Sequence, residues 1–256
     1  CLSEGNTIVL ADAQDKVFAD YMKILRSEAL AWSWMGNVVC LRKITERFDT
    51  LLTHRLVGHA TAECFLPWLW HLQALCAYGD MSDDGTQGEQ AVALSEQAVG
   101  YWRGHLADGR GRDSTEVYRL MAQVYYRYGE YEQACSRMKV AYDDYLSRFE
   151  DDYLSCPDQY YDVAGEYAMC LARTGRHEDA LSMIDEVLTA YESGTTDVLR
   201  KAEAFRRRGK ILMLKANGRS TEEASVDCYR EAFRLQRDYV RVYFNAMDQQ
   251  EREQYW

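Results

Sequence analysis

Apolar and small residues recur in the middle of the chain at two identical sets of offsets. Tyr118, Met121, Ala122, Tyr125, Gly129, Tyr131, Ala134, Met138 and Ala141 stand at offsets 0, 3, 4, 7, 11, 13, 16, 20 and 23. Ala164, Tyr167, Ala168, Leu171, Gly175, His177, Ala180, Ile184 and Val187 repeat that spacing without a shift. The first four offsets trace one face of a helix, the glycine breaks it, and the last ones trace one face of a second helix. Each block predicts a helical hairpin. Ala122 and Ala134, like Ala168 and Ala180, take the places where the paired backbones approach, since a larger side chain there would push the helices apart.

Two looser copies flank the blocks. Trp70, Ala74 and Ala77 pair with Ala91, Ser95 and Ala98 across a turn longer by five residues, and Phe205, Gly209 and Leu212 pair with Ser225, Tyr229 and Ala232 across one longer by four. Turn insertions lie at the surface and lengthening a loop costs little entropy. The succession of large, small, aromatic, glycine, small and large positions resembles the tetratricopeptide (TPR) family. That resemblance implies an all-α fold, a right-handed superhelix of antiparallel hairpins. The copies start at residues 70, 118, 164 and 205. They lie further apart than the repeat's usual period of about 34 residues, so helices or connections are extended.

Punctuation supports this division. Asp113 with Glu116, and Ser220 with Glu223, have the capping-box spacing. Pro157 and Pro67 suit first helical turns. Upstream, residues 13–35 and 37–57 read as a further helix pair joined at Gly36 and Asn37, with Phe18, Met22, Leu25 and Ala29 forming a stripe on the first. The expected organisation is a flexible leader over 1–12, one continuous repeat array over 13–247, and the start of a C-terminal helix over 248–256. With two prolines there is little room for a linker, and no window approaches 18 consecutive apolar residues, which excludes a membrane-spanning helix.

Composition adds little chemistry. Eight cysteines include no Cys-x-x-Cys pair and none beside a histidine at a zinc-finger interval, so they read as small apolar residues in a reducing, cytoplasmic compartment. His54 and His59 fall on different helical faces, and His177 takes the slot of Tyr131 as a turn-packing residue. Residues 109–111 form a glycine-rich loop that lacks a preceding strand and the Gly-Lys-Ser/Thr of a phosphate loop. No nucleophile motif is present. Trp32, Trp34, Trp68 and Trp70 are the one place for an enzyme pocket, and aromatic clusters at helical spacing are core far more often. The expectation is a non-catalytic chain with no metal and no cofactor.

Surface chemistry is more informative. A second stripe on the first helix of each hairpin carries Glu116, Arg119, Gln123, Tyr126 and Arg127, then Asp162, Gly165, Met169, Ala172 and Arg173, then Glu203, Arg206, Lys210, Met213 and Leu214. In TPR proteins these positions line the concave groove that receives a partner segment. Five bases against three acids stand there, on a chain of net charge −11. The contrast points to a protein or peptide partner of acidic or carboxylate-bearing character, and charge reversal at Arg119 and Arg206 is expected to weaken its binding. Arg127 and Arg173 also sit in last helical turns, where a cation is favoured by the macrodipole with no ligand present. The family's carboxylate clamp uses Lys and Asn where this chain has Arg119 and Gln123, so chaperone-tail binding is not implied. An acidic total argues against nucleic acid, which needs a broad basic footprint.

The last segment reads as a beginning. Tyr239, Val242, Tyr243 and Ala246 form a stripe, and Asp248 with Glu251 has capping spacing for a helix that reaches Tyr255 and Trp256. Those aromatics either fold back or continue into a further domain, and the second is expected. Phe244, Met247, Glu251, Arg252, Tyr255 and Trp256 resemble the junction that follows the repeats in bacterial proteins with a C-terminal CHAT domain, a caspase-like protease. That resemblance implies a regulatory or sensing scaffold with the protease in cis. The alternative is a cell-envelope lipoprotein acylated at Cys1.

Overall fold

A computed structural model describes residues 4–56, 64–80, 86–105, 114–150, 157–193, 197–215 and 218–246. Cys1, His59, the 109–111 loop, Asp113, Cys156 and residues 247–256 lie outside them, as do the side chains of Trp34 and residues 243–246. The described chain is all-α: α1 (Glu4–Trp34), α2 (Val38–Leu56), α3 (Leu66–Gly79), α4 (Thr86–His105), α5 (Ser114–Arg127), α6 (Tyr131–Glu150), α7 (Pro157–Arg173), α8 (His177–Ser193), α9 (Val198–Lys215) and α10 (Arg219–Ala246). These helices fall into two compact units, Cys1–Tyr128 and Gly129–Trp256.

In the first unit α2 packs on α1 and α3, α4 on α3, and α5 on α4. Met22, Leu25 and Ala29 of α1 meet Leu41, Phe48 and Leu52 of α2 and Phe65, Leu69 and Leu72 at α3. A second cluster joins Ala74 and Ala77 of α3, Ala91 of α4, and Leu120 and Val124 of α5. The first looser copy is thus built as its spacing predicts, with Ser95 and Ala98 also buried. Trp68 and Trp32 pack on the core, Arg26 lies 3.5 Å over the Trp68 ring, and Trp70 meets Tyr101 edge to face.

The second unit runs α6 on α7, α7 on α8, α8 on α9 and α9 on α10, with α7 also against α9. Ala164, Tyr167, Ala168, Leu171, Ala180, Ile184 and Val187 of the second block are all buried. Gly175, at φ +83°, turns the chain from α7 into α8 in the left-handed region that side chains disfavour. Gly129, the corresponding break of the first block, has φ +81°.

Helix ends follow the sequence with two differences and one addition. The Asn37 side chain accepts the Cys40 N–H at 3.0 Å and caps α2, Pro157 opens α7, and Pro67 is in the first turn of α3. Ser220 is not the cap of α10. The Gly218 carbonyl accepts from Thr221 and Glu222 at 3.1 and 3.3 Å, and a glycine at φ +139° lets the helix begin at Arg219, two residues ahead of the start that a Ser220 cap would give. The helix expected from residue 13 begins at Glu4, since no proline in 4–12 stops it from extending backwards. Asp197, which has no capping-box partner in the sequence, caps α9 by accepting the N–H groups of Leu199 and Arg200 at 3.0 and 3.2 Å.

Helices α9 and α10 cross closely at Gly209. A Cβ there would lie 3.1 Å from the Tyr229 ring, 3.2 Å from the Ser225 carbonyl and 3.3 Å from the Cys228 Cβ. The Ser225 hydroxyl donates to the Gly209 carbonyl at 2.8 Å, which ties α10 to α9 at that point. Gly209→Val is expected to destabilise the fold by about 1–3 kcal/mol in urea denaturation, the range for overpacking a tight contact. Unchanged stability would show that the crossing has room to open.

Candidate functional site

The stripe expected to receive a partner is divided between the two units. In the first, α5 carries Glu116, Arg119, Gln123, Tyr126 and Arg127. Glu116, Arg119 and Gln123 line a cleft of about 340 Å³ among α1, α2, α3 and α5. Arg119 Nη1 lies 3.8 Å from Glu116 Oε2, both side chains half-buried, so the two charges largely cancel inside the cleft. Tyr126 is half-buried. Arg127 turns towards the end of α3, its Nη1 3.5 Å from the Tyr78 carbonyl and its guanidinium 5.8 Å from the Tyr78 ring. A cation beside a terminal helix carbonyl is favourable by itself, so Arg127 has a structural task.

One residue of this cleft does not stand out in the sequence. His71, on α3 between Trp70 and Leu72, is 5% exposed, and its Nδ1 is buried with no hydrogen-bond partner. Burial, with a smaller contribution from the Arg26 cation, lowers its pKa to about 3, so the ring is neutral at physiological pH. Its sequence signal is a histidine inside a helix that is otherwise apolar apart from Gln73.

In the second unit the stripe is carried by α7 and α9, and the structure puts its acids to internal use. Asp162 forms an ion pair with Arg200, and its carbonyl accepts from Arg207 Nη1 at 3.1 Å. Glu203 accepts two bonds from Arg206, both at 2.6 Å, and one from Arg207 at 3.1 Å. Burial opposes ionisation of Glu203, yet these bonds and the two guanidinium charges outweigh it and hold the carboxyl below its ordinary range. Gly165 gives Arg207 its passage, because a Cβ there would lie 2.5 Å from Arg207 Nη1. Met169, expected on the partner face, is 8% exposed and belongs to the packing, as does Ala172. Side chains that bridge α7 and α9 have covered the lower part of the stripe.

What remains of it is basic. Lys210 stands one turn above Arg206 on α9 and faces the end of α7, where Arg173 lies 5.1 Å over the Tyr131 ring. Burial, then the charges of Arg173 and Arg206, lowers the Lys210 pKa, and Glu203 opposes this only in part. Arg173, Arg206 and Lys210 thus share one face with Glu203, which Arg206 and Arg207 already hold, while Glu166 of α7 lies 3.8 Å from Arg207. Met213, three residues beyond Lys210, is 58% exposed beside them. Among the described residues no group of three or more His, Cys, Asp and Glu side chains is placed to hold a metal ion, and no helix is long and apolar enough to cross a membrane.

Neither a protein-family model nor a curated protein matches the sequence. Solved structures match in fold. A kinesin light chain-type protein of Podosopora anserina, built of nearly identical TPR-like repeats, aligns with TM-score 0.58 and 12% identity over 86% of this chain and 96% of its own. A point variant of that protein gives 0.60 and 12% over 86% and 97%. BtubC (BKLC) from P. vanneervenii gives 0.56 and 13% over 93% of each chain. At such identities the likeness speaks for the fold alone. The chain has a TPR-like fold, all-helical among the described residues.

Proposed function

We propose that this chain is a non-catalytic protein-interaction scaffold that receives an acidic segment of a partner on the α7–α9 face. The observation that carries this reading is the crowding of Arg173, Arg206 and Lys210 on a chain whose net charge is −11. Bringing like charges together costs free energy that a bound carboxylate-bearing segment would offset, with guanidinium forks adding direction. TPR-like structure supports the scaffold half of the reading, and the cation cluster supports the acidic half.

Fluorescence anisotropy with a labelled peptide of alternating Glu and Ser, against its Gln and Ser counterpart, tests it. The acidic peptide is expected to bind more tightly, and Arg173→Glu with Lys210→Glu to weaken it by about tenfold or more, the scale of losing close charge contacts. Arg176→Glu, at an exposed arginine bonded to Asp179, should change it little. Equal affinity of the double variant and the wild type would refute the assignment. Arg119 lies in the other unit and Arg206 is held by Glu203, so charge reversal at those two positions tests this face less directly.

A regulatory role ahead of a CHAT-type protease is the finer form of this reading. It rests on the 244–256 pattern, whose side chains lie outside the described residues. The lipoprotein reading rests on Cys1 in the same way.

A further inference from the structure

Helix α10 carries a row of large apolar side chains that folding leaves uncovered. Val226, Phe233 and Val240 recur every two turns on one face, and all three are exposed, Phe233 to 66%. The repeat shows what such a row does elsewhere. Ser225, Tyr229 and Ala232 of α10 take the places of Ala180, Ile184 and Val187 on α8 and of Ala134, Met138 and Ala141 on α6. In the same register Phe233 corresponds to Leu188 and Tyr142, and Val240 to Phe149. Tyr142 packs on Tyr160 and Tyr167 of α7, ring centroids 5.8 and 5.1 Å away, and Phe149 stacks on Tyr160 at 4.7 Å. Leu188 is buried on α8, against which α9 packs. This is the row on which α6 receives α7. Helix α10 repeats it, and among the described residues no further helix follows to cover it.

The charges beside the row are not a copy. On α8 the flank is acidic: Asp185 holds Arg208 at 2.6 Å, Glu192 lies 3.8 Å from Lys201, and Glu178 holds Lys215 at 2.6 Å, all three bases on α9. At the corresponding places α10 has Arg230, Arg237 and Glu223, so two of the three signs are reversed. Arg230 and Arg237 each bond a carboxylate of α10, Asp227 and Asp238, but ion pairs between exposed neighbours contribute little and exchange readily. A helix like α9, basic at these points, would be repelled, and one with acids there would be held. We propose that the outer face of α10 docks an amphipathic helix of a partner protein, apolar along one side and acidic beside it, seated antiparallel as α9 sits on α8. This goes beyond the α7–α9 reading, because it uses other residues and needs an apolar face that an extended acidic segment lacks.

The probe is a synthetic helix of about 20 residues, with leucines along one side and glutamates beside them, read by fluorescence anisotropy on the full chain. Its control carries lysines in place of the glutamates. The glutamate helix is expected to bind at least about tenfold more tightly, although the net charge of −11 would by itself favour the lysine helix. Arg230→Glu with Arg237→Glu is expected to reverse the preference. Phe233→Glu is expected to weaken binding by about tenfold or more with an unchanged urea midpoint, since the ring is exposed. Arg173→Glu with Lys210→Glu is expected to leave the preference in place, so the two surfaces fail separately. Equal affinity for the two helices, no saturable binding of either, or undiminished binding to Phe233→Glu would overturn the proposal. So would self-association of the chain in sedimentation velocity that Phe233→Glu removes, which would give the face to a second copy. Tighter binding by Tyr255→Ala with Trp256→Ala would overturn it too, by giving the face to residues 247–256 of the same chain.

Discussion

Replacing His71 by leucine is expected to stabilise the protein, and increasingly so as the pH falls. At pH 7 the gain is about 1–3 kcal/mol, the cost of leaving a buried polar group without a partner. The pH dependence follows from linkage. In the folded chain the His71 pKa is lowered to about 3, against an ordinary value of 6.5, so below 6.5 the unfolded chain takes up a proton that the native ring refuses. The histidine's share of stability is therefore fully present above pH 6.5 and is lost as pH falls towards 3. The slope is about 1.4 kcal/mol per pH unit, or on the order of 2 kcal/mol by pH 5. Carboxylates also act on acid stability, and comparing wild type with variant at each pH cancels their common part. Urea midpoints at pH 7, 6 and 5 measure it. A stability difference that stays constant with pH would show that His71 protonates in the folded state.

Ile184→Ala is expected to cost about 2–5 kcal/mol, the range for emptying a filled core site. The same holds for Met138→Ala, at the corresponding offset of the first block. Both side chains are buried, Ile184 wholly so. Val140, two residues from Met138 on α6, is 44% exposed, and Val140→Ala is expected to change stability by no more than about 0.5 kcal/mol. Three urea curves thus test the register that the spacing implies. A Val140 loss as large as that of Met138 would mean that α6 buries a different face.

The hairpins are legible in the sequence because packing imposes its period on it. Small residues are needed where backbones cross, so the spacing of Ala168 and Ala180 alone is enough to mark α7 and α8, and Ser225 with Gly209 marks α9 and α10 despite a longer turn. Helix starts are less legible where one residue in a special conformation decides them. Gly218 moves the beginning of α10 ahead of the serine that looks like its cap, and Asp197 has no flanking pattern to announce it. The stripe on α5, α7 and α9 is legible as a set of positions and less so as a surface. Periodicity tells which way a side chain leaves its helix but not what a neighbouring helix will do with it. Arg200 and Arg207 reach across from α9 to α7 and occupy Asp162 and its surroundings, and Met169 is packed under. His71 is hidden for the opposite reason: a single histidine among apolar neighbours reads as core, and only the packing around it shows that its Nδ1 is left without a partner.

Met213 offers the most direct view of the central claim, since its side chain is exposed within a turn of Lys210. With methionine methyl groups labelled by carbon-13, titration of the Glu and Ser peptide is predicted to shift the Met213 resonance progressively while Met22, wholly buried in the first unit, stays in place. Binding that leaves the Met213 resonance unmoved would contradict the assignment of the α7–α9 face as the seat of an acidic partner.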